Sequence, residues 1–243
     1  MFSTLMLGSF RCFHTYKSQI LIKTAAPLLL YFIACTAKPF ITHSIESNAT
    51  TLLLTQLLLE IAMLMLAAFI SIGVIRLTLL EENGATTLRI TQREFKYFLY
   101  SILILLIFIM PTALMSAAFI LSFIFPGLIY LSLPGFVIAL WCACRLSLIF
   151  PAIAVDQPIT LKDSWNATRK HCWPLFVYTL LTVLVLYAPT LLAEPILKAV
   201  FPAISGYLFD HLVYPIIDAI TILILSIGFA IYYLELSKKQ KMA

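Results

Sequence analysis

Few side chains in this sequence have the type and setting to do chemistry, and Glu60 is the sharpest of them. It stands inside an apolar run, about eight residues from its start, or roughly 12 Å along a helix at 1.5 Å per residue. A charged side chain at that depth in a bilayer costs about 2.5–3.5 kcal/mol, so it needs a partner or a proton. Lys38, in the preceding apolar run, is the natural partner. Glu60 is then either half of a structural ion pair (or a protonated acid bonded to a neighbouring helix), or a proton or cation site in a carrier. The structural reading is the stronger, because a transport path normally carries several such residues. Asp218 is the comparable acid and falls near the start of a later run, at an interface. Cys142-x-Cys144 and His171-Cys172 invite a zinc site. However, zinc motifs use two- to four-residue gaps, and a Cys-x-Cys pair on a helix points to different faces. The cysteines are expected to be small packing residues. His14, His43 and His211 form no spaced pair, the 11 acidic residues are scattered, and none of the 7 glycines sits in a phosphate-cradling loop. Phosphodiester hydrolysis would need carboxylates, His or metal ligands clustered at one depth. The expectation is a protein that is not an enzyme, with no metal and no cofactor.

The elements that hold these residues follow from composition. Of 243 residues, 62% are hydrophobic and 11% are charged, against about 25% charged in soluble domains. Such a chain can fill a core but cannot cover it, and the leftover apolar surface must face lipid. A span needs about 20 mostly apolar residues to cross a hydrocarbon layer of about 30 Å. Six segments qualify, near 21–41, 52–77, 97–121, 127–149, 174–193 and 212–235. Only Phe125-Pro126-Gly127 separates the third from the fourth, and Pro-Gly predicts a tight helical hairpin there. The expected fold class is an all-α membrane protein of about six transmembrane helices, forming a single integral membrane domain over 1–243.

With the N-terminus inside, all of the 16 Lys and Arg residues fall on the inner side except Lys38 and Lys198. The positive-inside rule then predicts both termini in the cytoplasm. The net charge of +5 is thus a topology signal, not a basic patch, and no nucleic-acid partner is expected. A cleaved leader is not expected either. Residues 1–20 lack an apolar core, and Ala34-Cys35 has Phe32 where a lipoprotein signal would carry Leu. A faint repeat runs through the chain. Arg76-Leu77-Thr78-Leu79 and Arg145-Leu146-Ser147-Leu148 each end a span, followed by Thr87-Leu88-Arg89 or Thr160-Leu161-Lys162. It points to three units, each a short amphipathic cytoplasmic segment plus a helical hairpin. Chance is a serious rival, since apolar helices commonly end in a snorkelling Arg.

Both long inner connections have readable local chemistry. Asn83-Gly84 marks a turn, and Thr91-x-x-Glu94 reads as a capping box that starts a helix before the third span. In the second connection, Thr160-x-x-Asp163 is a similar box, opening a helix with Leu161, Trp165, Thr168 and Cys172 on one face. Lys162, Asn166, Arg169 and Lys170 lie on the other. Such a helix suits an anionic inner leaflet, and it equally suits docking on the bundle. Pro174 can open the fifth span, where its missing N–H costs nothing.

The segment RLSLIFPAIAVD (145–156), followed by Ser164-Trp165-x-x-Thr168, resembles a signature of the bacterial YciC-like inner-membrane proteins. It also resembles the membrane domain often fused to glycerophosphodiester phosphodiesterases. Arg145, Pro151, Ala152, Asp156, Ser164, Trp165 and Thr168 carry the resemblance over about a tenth of the chain. Arg169 and Lys170 stand where that pattern often has Gly. The resemblance implies a multi-pass protein of the bacterial cell inner membrane. Its expected partners are the bilayer, anionic inner-leaflet lipids, and a protein engaged through the cytoplasmic loops. Three roles remain: a scaffold or envelope-support protein working through the 160–172 helix with Trp165, Arg169 and Lys170, a carrier of ions, small molecules or lipids using Glu60 with Lys38, or an accessory subunit of a larger complex. Arg145, Asp156, Ser164 and Thr168 are further candidates through the resemblance.

Overall fold

The computed structural model describes residues 1–44, 49–82, 90–121, 129–157, 159–169, 171–201, 206 and 208–241. Among these residues the chain is helical, without strands: α1 (Phe2–Ser44), α2 (Ala49–Leu80), α3 (Gln92–Leu121), α4 (Ile129–Leu146), α5 (Ile149–Ala154), α6 (Leu161–Thr168), α7 (Cys172–Val200) and α8 (Tyr214–Lys241). A π-helical turn, Phe209–Val213, leads straight into α8. Five stretches are long and apolar enough to cross a membrane: Phe2–Thr42, Thr50–Leu80, Pro134–Ala154, Cys172–Val200 and Phe209–Lys238. Over the third expected span, α3 is a helix of 30 residues, about 45 Å long at 1.5 Å per residue.

Two boundaries differ most from the expected ones, while α7 and α8 each run several residues past their expected ends at 193 and 235. The first helix starts at Phe2, not near residue 21. Its early part has no continuous apolar run, but it is one-sided. Leu5, Ser9, Ile20 and Thr24 are buried, while Arg11, His14 and Lys17 remain exposed. Spacing of three to four residues on one face is enough to hold a helix against a bundle. The fourth apolar run does not end as one helix. It breaks at Ser147-Leu148, where the Ser147 hydroxyl donates to the Cys144 carbonyl at 2.7 Å, and restarts as the fully buried α5. Pro151 falls in the first turn of α5, where a missing N–H is tolerated. The Phe125-Pro126-Gly127 turn lies outside the described residues. Still, α3 and α4 run side by side: a Cβ on Gly135 would touch Pro111 at 3.4 Å, and the Phe108 and Phe136 rings meet edge to face at 5.7 Å.

The core forms in three places, and α8 enters all of them. Leu5, Leu175, Tyr178 and Tyr232 join α1, α7 and α8. Ile75, Tyr97, Ile149 and Ala230 join α2, α3, α5 and α8. Ile20, Ile70, Val74 and Ile227 join α1, α2 and α8. Gly228 lets α8 approach α7 closely, because a Cβ there would collide with the Tyr178 ring, 2.5 Å from its hydroxyl oxygen. That hydroxyl donates to the Ile224 carbonyl at 2.8 Å and lies 3.0 Å from the Ser9 hydroxyl. Outside the core, Leu29 and Ile33 of α1, Leu53, Leu57 and Leu58 of α2, and Leu191, Leu192 and Ile196 of α7 are each more than half exposed. So much contiguous aliphatic surface calls for a hydrocarbon surround.

Candidate functional site

Polar contacts gather at the two ends of the bundle. At one end, Arg145 closes α4 in its last turn, where a cation complements the helix dipole. Its guanidinium lies 3.8 Å from the centre of the Trp165 ring and 5.4 Å from that of Trp141. Nη2 donates to the Trp165 carbonyl at 2.5 Å. The Arg145 backbone carbonyl, freed because the helix ends there, accepts from the Ser164 and Thr168 hydroxyls, both at 3.0 Å. One residue of α4 thus holds α6 by its side chain and its main chain together. Arg145, Ser164 and Thr168 are all buried, and Arg145 Nε has no hydrogen-bond partner among the described residues. The expected capping box is present. The Thr160 hydroxyl accepts from the Asp163 N–H at 3.1 Å, and Asp163 accepts from the Thr160 N–H at 3.1 Å. Those bonds from Thr160 hold the Asp163 carboxyl below its ordinary pKa. The face of α6 that bears Trp165 and Thr168 is therefore turned to protein, leaving Lys162, Asn166 and Arg169 exposed.

Beside this clamp, Asp156 joins three helices. It follows α5 with φ 58°, a left-handed conformation that Asp tolerates better than most residues. Its Oδ2 accepts from Arg76 Nη1 at 3.1 Å and from Arg93 Nη1 at 3.2 Å, tying the connector to α2 and α3. Arg76 Nη1 also donates to the Ala154 carbonyl at 2.9 Å, and its Nε bonds Glu82. Lys23 of α1 donates to the Glu82 carbonyl. The bond from Arg76 holds the Glu82 carboxyl below its ordinary pKa. Burial alone would raise the pKa of Glu94, but bonds from Thr91 and Arg93 outweigh it and leave it lowered. Glu94 accepts from the Thr91 N–H at 3.0 Å, the Glu half of the box that the Thr91-x-x-Glu94 spacing predicts, while the Thr91 hydroxyl donates to the same carboxylate. The neighbouring Asn83-Gly84 turn lies outside the described residues, as does Lys170.

At the other end, Lys38 of α1 and Glu60 of α2 form an ion pair, with side chains 33% and 55% exposed. The Tyr187 hydroxyl bonds Asp218 across α7 and α8, and Tyr214 and Lys198 both bond Glu194. His211 Nδ1 lies 3.0 Å from the Thr36 carbonyl. Back at the Arg145 end, Cys144 and Cys172 are buried, with weak contacts to the Thr179 hydroxyl and the Trp141 carbonyl, both at 3.9 Å. Among the described residues no three His, Cys, Asp or Glu side chains are grouped to hold a metal.

The structure thus brings Arg145, Ser164, Trp165 and Thr168 together, sets Asp156 in an adjoining network, and leaves Lys38 and Glu60 at the far end. Sequence reasoning missed Lys23, Glu82 and Arg93 as partners in that network. A signal existed for Arg76, which opens the same Arg-Leu-Thr/Ser-Leu run as Arg145 and, like it, donates to a connector carbonyl. Chemically the arrangement is a lock: cations neutralised by carboxylates, carbonyls and ring faces, fixing two connectors to the helix ends. Comparison with protein-family models, curated proteins and solved structures finds no match to this chain.

Proposed function

We propose that this chain is a non-enzymatic, six-span protein of the bacterial inner membrane, similar to the YciC-like proteins. In this reading both termini are cytoplasmic, and its role is to scaffold partners or support the envelope. One observation carries the proposal: Arg145 and Asp156 fasten the connectors into one firm surface on the end where Arg76, Arg93, Arg145, Lys162 and Arg169 collect. Cationic residues on that end agree with a cytoplasmic face. A fixed surface with Lys162, Asn166 and Arg169 exposed suits binding of an acidic partner. The Lys38–Glu60 ion pair accounts for Glu60 without a transported ion, which favours the scaffold over the carrier.

Two experiments test this reading. Reporter fusions after residues 47 and 204 should read outside, and fusions after 85, 158 and the tail inside; one reversed loop overturns the topology. Extraction in native lipid discs followed by mass spectrometry should recover a stoichiometric protein partner. Lys162→Glu with Arg169→Glu should release it, and Arg145→Ala should do so by freeing α6. If Glu60→Gln instead abolishes a transport phenotype while the protein inserts normally, the carrier reading takes its place.

A further inference from the structure

The α6 face that reads in sequence as a lipid anchor is occupied by Arg145, but another amphipathic recess is open beside it. Along α3, Lys96, Leu99, Tyr100 and Leu103 follow the spacing of one helix face and form the wall of a cavity of about 580 Å³. Ile153 of α5 and Ile159 of the connector close the opposite side. This volume is in the range of small-molecule clefts, about 300–1,000 Å³. A second recess of about 280 Å³ adjoins it, sharing Lys96, Ile153 and Gln157 and adding Gln92, Arg93 and Asp156. The joined recess is therefore polar at the mouth and aliphatic further along α3. Leu103 lies two turns beyond Lys96, about 10 Å along the axis.

The charges at the mouth select the occupant. The Asp156 carboxylate is taken up by Arg76 and Arg93, and the Gln157 side-chain oxygen accepts from Tyr233. Lys96 is exposed and has no ion pair or hydrogen bond among the described residues. An available cation at the edge of an aliphatic groove, where a chain enters the bilayer, matches one chemistry: an anionic headgroup carrying an acyl chain. We propose that the recess between α3 and α5 binds a single anionic glycerophospholipid. Its phosphate lies at Lys96, and one acyl chain lies along Leu99, Tyr100 and Leu103. That this lipid comes from the inner leaflet rests on the orientation proposed above; binding itself does not.

The test uses the full chain, delipidated in neutral detergent and examined by native mass spectrometry with phosphatidylglycerol or phosphatidylcholine of matched chains. Wild type should retain one phosphatidylglycerol per chain, about fivefold above phosphatidylcholine, the preference expected of one cation near a lipid surface. Lys96→Gln should erase that preference and leave residual binding of either lipid. Leu103→Trp should remove both while the protein stays monodisperse. Equal retention of the two lipids by wild type, or unchanged retention in both variants, overturns the proposal. Full displacement by millimolar inorganic phosphate would also overturn it, reducing the site to an anion site without a chain groove. The assay in detergent is blind to orientation, whereas the fusion after residue 85 reports only orientation, so the two claims fail separately.

Discussion

The end of the bundle that carries Arg145 and the end that carries Glu60 solve the same problem differently. Both must place charge on helices that are otherwise aliphatic. At the Arg145 end some charges sit beneath protein: Arg145, Lys23 and Glu94 are buried, and each is met by a carbonyl, a carboxylate or a capping group. At the Glu60 end the ion pairs are single, Lys38 with Glu60 and Lys198 with Glu194, aided by the Tyr214 and Tyr187 hydroxyls on Glu194 and Asp218, on helices with many exposed large side chains. The same helices show the change along their length. In α2, residues 68–75 are buried, while Leu53, Leu54, Leu57 and Leu58 are exposed. In α7, Leu175, Phe176 and Tyr178 are buried, while Leu184, Leu191 and Leu192 are exposed. One end is built as protein interior, and the other as a surface against which something apolar must lie.

The largest effect that would sharpen this contrast is at Arg145. Arg145→Ala removes a bond from a charged donor, worth about 1.5–3 kcal/mol, and stacking worth about 0.5–2 kcal/mol. Thermal unfolding in detergent should drop by several degrees, and limited proteolysis should open the α6 connector. Arg145→Lys should recover little, because an ammonium cannot lie flat on Trp165 while bonding its carbonyl. An unchanged melting curve for the Ala variant would mean that the two ends are energetically alike.

Glu60 comes next. Glu60→Gln strands Lys38, at a cost of about 2.5–3.5 kcal/mol where the pair lies in hydrocarbon. The double variant Lys38→Met with Glu60→Leu should restore insertion and stability to near wild type, as replacing an ion pair by apolar residues often does. If the double variant is worse than Glu60→Gln alone, the pair does more than neutralise itself. Gly228→Ala follows, at about 1–3 kcal/mol for overpacking against the Tyr178 ring. Gly8→Ala should be milder, since its nearest contact is the tip of Ile231 at 3.2 Å. Similar melting points for the two glycine variants would show that α7 and α8 are not held as closely as described.

How far all this could be read in advance depends on the range of the interactions. The helical, membrane-type fold follows from composition together with apolar runs of about 20 residues, long enough to cross a bilayer as helices. Arg145, Ser164, Trp165 and Thr168 stand out in the sequence only through the family-like pattern they carry; that they touch one another, within two dozen residues, comes from the structure. The beginning of α1 was not, because Leu5, Ser9 and Ile20 acquire meaning only once α7 and α8 cover them. The partners of Asp156 were equally hidden. Arg76 and Arg93 are 80 and 63 residues away in sequence, and they converge only because a left-handed Asp156 turns the connector back after α5. The recess along α3 has the same origin: its stripe of Lys96, Leu99, Tyr100 and Leu103 reads as an ordinary helix face until Ile153 stands opposite.

Asp156 separates charge from conformation at the Arg145 end. Asp156→Asn keeps a residue that accepts positive φ but loses the ion pairs, whereas Asp156→Gly relieves the backbone and loses the side chain altogether. The carboxylate is 62% exposed, so each ion pair is worth about 1 kcal/mol or less. Both variants should melt only slightly below wild type, with Asp156→Ala lowest because it keeps the strained φ and gains nothing. If Asp156→Gly is the most stable of the three, the backbone turn and not the network fixes the connector.

The smallest effect is one of pH at the Arg145 end. Glu82 is depressed by its bond to Arg76 and by the nearby cations. A carboxyl whose folded pKa lies below its unfolded value stabilises the fold above the unfolded value, about 4.3 for Glu. That contribution is lost as the pH falls through the folded pKa, because protonation then removes the Glu82 charge from Lys23 and leaves Arg76 with Asp156 as its paired acid. Being half-exposed, Glu82 should contribute less than about 1 kcal/mol. Wild type should therefore lose slightly more stability than Glu82→Gln between pH 5 and pH 3. Parallel pH curves for the two proteins would remove Glu82 from the network and leave Asp156 as the acid that holds Arg76.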